Sequence, residues 1–233
     1  MEISEYSIGS DFEPLQVEME VRPPIYLTSP YVCFDGIISY LCLRDCLGED
    51  YYTLPSDKVL PIDKLALPLK KTGDVYHASV SIFKDPILKK DTIYKRFTDK
   101  QTHHLTEKQQ NGKIQTNRGH FKDFMINLPL LLTNKVLFYC NGDKKALKYL
   151  LKHLRGIGKK ISIGGGRIRN IKIDSIDEDY SFYRDGEIMR PIPTKMKIPL
   201  VEGMKLQMEP YKPPYWNKSN ITMCYVPSSK IKV

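Results

Sequence analysis

Val136-Leu137-Phe138-Tyr139-Cys140-Asn141-Gly142-Asp143-Lys144-Lys145-Ala146-Leu147-Lys148-Tyr149-Leu150-Leu151-Lys152-His153-Leu154-Arg155-Gly156 decides how this chain is read. Val136 to Cys140 is a short apolar run of the kind that forms a buried strand. Asn141-Gly142 is a turn signal, and Asp143 stands where an N-cap carboxylate would satisfy free helical N–H groups. Leu147, Leu150, Leu151 and Leu154 then recur at helical spacing, with Lys144, Lys145, Lys148 and Lys152 off the stripe. Gly156 stops the helix. Beyond a glycine-rich loop, Arg167 to Ile173 is predicted as a strand with Ile168, Ile171 and Ile173 as its apolar members. This half of the chain is therefore strand, helix, strand.

Working outward, Leu15-Gln16-Val17-Glu18-Met19-Glu20-Val21-Arg22 alternates strictly, predicting a half-buried strand with Leu15, Val17, Met19 and Val21 inward. Ile25 to Leu27 could continue it past Pro23-Pro24. Asp35 is expected to cap a helix carrying Ile37, Ile38, Leu41 and Cys42 on one face, ended by Gly48. Residues 51–72 read as irregular, Val75 to Phe83 as a second strand. Residues 84–120 are polar and basic, an excursion carrying a ribbon or a loop. Strand, helix, strand, excursion, strand, helix, strand gives an α+β fold with the ferredoxin-like β-α-β-β-α-β order of RNA-recognition domains. Residues 1–173 would form that domain, with 84–120 as a thumb-like insertion. Residues 174–233 would be a C-terminal extension packed over it.

The chain has 233 residues and a formal net charge of +9. Its charge is segregated. Residues 144–172 hold ten Lys or Arg and no Asp or Glu, and residues 89–122 hold nine basic residues and three acidic. The remainder is net negative, the footprint of a polyanion-binding surface. No apolar run is long enough to span a membrane, and the acidic start, Met1 to Glu5, does not resemble a secretory signal. Five cysteines without a C-x-x-C pair point to a reducing, cytoplasmic setting and away from disulfides or a zinc site.

Gly156-Ile157-Gly158-Lys159-Lys160-Ile161-Ser162-Ile163-Gly164-Gly165-Gly166-Arg167 is the segment richest in chemistry. Glycine lets peptide N–H groups approach a phosphate chain, and Arg155, Lys159, Lys160 and Arg167 would neutralise it. It is neither a P-loop nor a dinucleotide fingerprint. The position five before Gly158 is His153, Lys160 follows Lys159, and Ile161 stands where the fingerprint needs glycine. Such loops also lead from strand to helix, whereas this one leads from helix to strand. A plain flexible connector is the alternative. Tyr94-Lys95-Arg96-Phe97 and Phe121-Lys122 interleave aromatics and cations as single-strand binders do. The RNA-binding residues expected are therefore Tyr94, Lys95, Arg96, Lys122, Arg155, Gly158, Lys159, Lys160, Gly164, Gly165, Gly166 and Arg167.

Metal or acid–base chemistry finds little support. His103-His104 has no ligand partner at metal spacing, His77, His120 and His153 are isolated, and Asp177-Glu178-Asp179 reads as a solvated turn. No cofactor is expected.

The ordered set Asp35 to Tyr40, Tyr94 to Phe97, Gly119 to Pro129, Asn141-Gly142-Asp143, Ile157 to Lys160, Gly164 to Arg167, Arg190-Pro191-Ile192-Pro193, and Pro213-Pro214-Tyr215-Trp216 with Cys224 resembles the RAMP superfamily of CRISPR-associated proteins. It is most similar to the subunit of Cas five type in type IV effector complexes, departing at Gly165, where that pattern has a larger residue. The resemblance implies a non-enzymatic protein that grips the 5′ handle of the crRNA and caps the backbone filament. It implies as partners the crRNA, the neighbouring backbone subunit of Cas seven type and the large subunit, with target DNA a further candidate. Two other readings stay open. One is a metal-independent endoribonuclease using His103, His104 and Tyr94. The other is an adaptor that binds protein only.

Overall fold

The computed structural model describes residues 6–53, 65–105, 114–119, 121–196 and 204–228. Parts of the expected excursion, His120, and much of the irregular 51–72 stretch lie outside the described residues. The fold is mixed α and β, with antiparallel sheets and few helices.

β1 (Phe12–Arg22) is the alternating strand, and Leu15, Val17, Met19 and Val21 are all buried. After β2 (Ile25–Tyr26) comes α1 (Phe34–Leu47). β3 (Lys71–Thr72), β4 (Val75–Tyr76) and β5 (Ile82–Phe83) follow, where one continuous strand was expected from Val75 to Phe83. Between β4 and β5 only single bridges form, Ala78 with Cys140 and Val80 with Cys33. β6 (Ile87–Lys95) and β7 (Phe124–Leu132) build a ribbon, and β8 (Lys135–Asp143), α2 (Lys144–Leu151) and β9 (Arg167–Ser175) complete the core. The main sheet runs β5-β8-β1-β9, antiparallel throughout. α1 and α2 lie against its apolar face, where Phe34, Ile38, Phe138, Leu147 and Leu150 are buried.

Burying an alternating strand pair under two helices removes a large apolar area from water, the main favourable term for the fold. The other face of the sheet carries Glu18, Glu20 and Asp174. Lys135 binds Glu18 at 2.8 Å, and Lys172 binds Asp174 at 2.7 Å.

Several local expectations are corrected. Asp35 does not cap α1. The N-cap is Cys33, which makes no side-chain cap bond. Asp35 is instead fully buried in the first turn, 3.1 Å from the Arg190 guanidinium and 2.6 Å from the Tyr215 hydroxyl. Arg190 also donates to the carbonyls of Tyr76, Ala78 and Tyr211. A buried guanidinium is tolerable only when its donors are used, and this one bolts the extension to α1. Asn141-Gly142 is no turn: both residues lie in β8, which runs straight into α2. Asp143 does cap α2, accepting from Lys145 N and Ala146 N, and also from Ser10 N and Asp11 N. Those bonds hold its carboxyl below the usual range. α2 ends at Leu151, a turn before Gly156.

The excursion does not end at residue 120. β7 pairs along its whole length with β6, from Ile87 with Leu132 to Lys95 with Phe124, so the ribbon extends to Leu132. After a small hairpin of β10 (Tyr183–Arg184) and β11 (Glu187–Ile188), the C-terminal extension forms its own sheet from β12 (Ile192–Pro193), β13 (Lys205–Pro210) and β14 (Ile221–Val226), in the order β12-β14-β13. Asp179 is not a solvated turn residue, nor is His77 isolated. The carboxylate pairs with the His77 ring at 2.8 Å and accepts from Asn141 and from Ser181 N. Burial works against its charge, but these donors hold the carboxyl well below the ordinary range.

Candidate nucleic-acid interface

The loop from Arg155 to Arg167 sits at the start of β9. It is pinned to the segment Pro24 to Tyr26. Lys159 N donates to Tyr26 O at 2.8 Å and Gly166 N to Pro24 O at 2.8 Å. Gly165 N and Gly164 N turn inward to Lys160 O and Ile161 O. The three glycine N–H groups are thus already engaged within the protein. The amides of Gly164, Gly165 and Gly166 are therefore spent on the protein's own carbonyls, which leaves the cations as the groups of this loop that can meet a phosphate.

The glycines serve close packing. A Cβ on Gly158 would stand 2.6 Å from Tyr26 O, and one on Gly165 would stand 2.9 Å from both Lys159 O and Tyr26 Cδ2. At Gly166, with φ of +57°, it would overlap the Ile157 carbonyl. Only Gly164 faces open space. Gly165 and Gly166 are buried, so the loop is not a surface feature that tolerates a side chain there. Lys160 adopts a left-handed backbone with φ of 61°. That is an unusual cost for a residue with a Cβ.

The cations remain available. Arg155, Lys159 and Arg167 are exposed and Lys160 is half-buried, and none of the four has an ion pair among the described residues. β9 continues the rim with Arg169, and α2 with Lys148 and the C-cap residue Lys152. These three line a groove of about 470 Å³ between α2 and β9.

β2 links this loop to the ribbon. Ile25 and Tyr26 pair with Leu131 and Leu130 of β7 on one side, while Tyr26 O holds Lys159 on the other. The Tyr26 hydroxyl donates to Asp91 of β6 at 2.7 Å, and that side of the ribbon is sealed by Tyr26, Leu128 and Leu130. On the opposite face Tyr94 lies across from Met125, Thr92 from Asn127 and Lys90 from Pro129. Tyr94 is 70% and Met125 69% exposed. Arg96 and Lys122 stand exposed near the ribbon's end, where the Phe97 and Phe121 rings meet at 5.2 Å and Asp123 accepts from Phe97 N at 2.9 Å. Lys95 is exposed beside Tyr94. The structure therefore joins the two predicted groups through one short strand.

His103 and His104 lie in the short 3-10 turn Asp99–His104, exposed and without a hydrogen bond from either ring among the described residues. No cluster of His, Cys, Asp and Glu that could hold a metal occurs among the described residues.

One cavity was not anticipated. About 760 Å³ of space opens between α1, the 29–33 segment, the Arg155–Gly158 stretch and Glu209 of β13. At its edge Arg44 lies over the Tyr40 and Tyr52 rings and donates to both hydroxyls. The i, i+4 spacing of Tyr40 and Arg44 is the sequence signal for this pair.

A family model for the CRISPR type IV associated protein Csf3 matches residues 13–227. The chain belongs to this family. The match takes in every core strand and both basic elements. No curated protein matches. Among solved structures, the chain is similar to one in the cryo-EM structure of the Type III-B Cmr-beta bound to cognate target RNA. The identity is 14% and the TM-score 0.38, over 70% of this chain and 61% of that one. No helix among the described residues is long and apolar enough to cross a membrane.

Proposed function

We propose that this chain is a non-catalytic RNA-binding subunit of a type IV CRISPR ribonucleoprotein. It grips the 5′ handle of the crRNA and caps the backbone filament at that end. The observation that carries the reading is the pair of exposed cationic elements anchored on one strand. Arg155, Lys159, Lys160 and Arg167, free of ion pairs among the described residues, share β2 with a ribbon that presents Tyr94, Lys95, Arg96 and Lys122. Cations without carboxylate partners release counterions when phosphates replace them, and exposed aromatic faces stack unpaired bases. The glycines act indirectly, setting the course of the loop that carries the lysines.

The sheet order supports a ferredoxin-like reading. β1 and β5, joined through α1, flank β8; β8 and β9, joined through α2, flank β1. Partners on this reading are the crRNA, the backbone subunit of Cas seven type and the large subunit, with target DNA a further contact. The alternative, an endoribonuclease that uses His103, His104 and Tyr94, is separated from this reading by the cleavage assay below.

The test is incubation of the purified chain with labelled repeat RNA over a salt series. Retention of intact RNA is expected, with log affinity falling by about 0.7 per phosphate contact for each unit of log salt. Cleavage that His103→Ala with His104→Ala removes would turn the reading to a nuclease. Absence of salt-dependent binding would leave the protein-only adaptor.

A further inference from the structure

The large cavity shares Arg155, Gly156, Ile157 and Gly158 with the cationic loop, so an RNA strand following that loop passes its mouth. Its lining is mainly apolar, with Ile37 and Ile157 among the walls. Tyr40, Arg44 and Tyr52 form a stacked rim on one side. Arg44 and Arg155 place positive charge at the opening.

Glu209 is the one carboxylate in the lining. It is half-buried, and burial raises its carboxyl above the ordinary range. Its negative charge acts on the Tyr31 hydroxyl and the Cys33 thiol, both of which also line the cavity. Glu209 and Tyr31 thus line the same cavity, one from β13 and the other from the segment that leads into α1. Neither the Glu209 carboxylate nor the Tyr31 hydroxyl has a hydrogen-bond partner among the described residues. A carboxylate and a phenol on the walls of one largely apolar cavity, both free to bond, offer an acceptor pair and a donor to a ligand that enters it.

We propose that this cavity receives one unstacked guanine of the bound RNA. The proposal rests on the RNA-binding reading above and names a base subsite for it. The volume is ample for a nucleoside, whose ring would stack against the tyrosine and arginine planes. Guanine presents two adjacent N–H donors, at N1 and N2, with the O6 acceptor beside them. A carboxylate takes both donors, and a neighbouring hydroxyl donates to O6. Uracil offers a single N–H between two carbonyls and leaves one carboxylate oxygen facing a carbonyl. Adenine and cytosine present a ring nitrogen acceptor next to their amino group, again opposed to the carboxylate.

The experiment compares two probes on the full chain by fluorescence anisotropy: a short oligouridylate, and the same oligomer with one internal guanosine. The guanosine probe is expected to bind about tenfold more tightly, the discrimination typical of one good bidentate pair. Glu209→Gln, which replaces one acceptor by a donor, brings that ratio close to one. Ser29→Trp, an exposed lining position where a large ring plugs the entrance, does the same. Melting curves confirm that both variants fold. Salt-dependent binding of both probes with no preference overturns the subsite and leaves the proposed function standing. A preference that survives both substitutions also overturns it, because the base is then read elsewhere. A cavity occupied by a partner's apolar side chain gives the first of these results. Failure of the chain to bind either probe at any salt removes the RNA-binding reading and the subsite together.

Discussion

The ribbon and the glycine loop meet at β2 and carry the same kind of charge, yet they are held by opposite means. The ribbon supports itself. Its ladder runs from Ile87 paired with Leu132 to Lys95 paired with Phe124, and it rests on the domain through Leu131 and the Tyr26 contact. Towards its end the side chains are exposed, so the backbone pairing determines its shape. The loop has almost no ladder of its own. Its path is set by carbonyls of Pro24 and Tyr26 and by three places where only hydrogen fits at Cα. A self-paired element tolerates substitution at its exposed side chains, while an element moulded on its neighbours does not tolerate it even at its backbone. The two regions should therefore fail differently.

The widest separation is expected in stability. Gly166→Ala places a methyl on the Ile157 carbonyl at a positive φ and should lower stability by about 3 kcal/mol. For a chain of this size that is a melting shift of about 6–12 °C. Gly164→Ala, with φ of +96° but open space around it, should cost about 1 kcal/mol. Met125→Ala near the ribbon's end should leave the melting temperature unmoved. Thermal melts of the three variants check the order. Equal shifts for Gly166→Ala and Gly164→Ala would mean that the loop is not moulded on Ile157.

The second separation is in the salt dependence of RNA binding. Lys159→Ala, Lys160→Ala and Arg167→Ala together should reduce the log–log slope by about 2 and weaken binding near physiological salt by about 2 kcal/mol. Removing side chains on the ribbon should affect a different quantity. Tyr94→Ala should cost about 1–2 kcal/mol of affinity, the value of one stacked base, with the slope in salt unchanged. Anisotropy titrations at several salt concentrations separate the two signatures. A slope that falls for Tyr94→Ala would place that residue's role in aligning phosphates.

How far the sequence could be read follows the same division. Period-two and period-3.6 patterns report which residues face a core. Leu15, Val17, Met19 and Val21, and Leu147, Leu150 and Leu151, are where their spacing puts them. The Asp143 cap is local chemistry and was equally legible. Asp35 was misread because its partners, Arg190 and Tyr215, are 155 and 180 residues away, and nothing local distinguishes a buried ion-paired Asp from a cap. β7 escaped assignment to the excursion because its apolar residues, Leu128, Leu130 and Leu132, resemble core strand while sealing the ribbon against Tyr26. The loop was found through its composition but misassigned in mechanism. Glycine permits close approach of any partner, and composition does not say whether that partner is a phosphate or the protein's own carbonyl. The cavity beside α1 was invisible for a simpler reason: its walls come from three regions far apart in the chain, within 29–52, 153–161 and 209–215.

The smallest expected effect joins the two criteria at one residue. Lys160 pairs a cation with a left-handed backbone, which costs a residue with a Cβ about 1–2 kcal/mol. Its carbonyl accepts from both Ile163 N and Gly165 N, so the conformation is required for the loop's internal bonds. Lys160→Gly keeps those bonds and relieves the strain, but gives back about 0.5–1 kcal/mol through the greater freedom of glycine in the unfolded chain. The net gain is about 0.5 kcal/mol, a rise in melting temperature of about 1–2 °C. The same change removes one phosphate contact, so the salt slope should fall by about 0.7 and RNA affinity should weaken. Stability and binding then move in opposite directions from one substitution. That result would be expected if a residue is kept at a glycine position for its charge. Should Lys160→Gly raise the melting temperature with RNA affinity intact, the lysine would lie outside the RNA path, and the cationic rim would shrink to Arg155, Lys159 and Arg167.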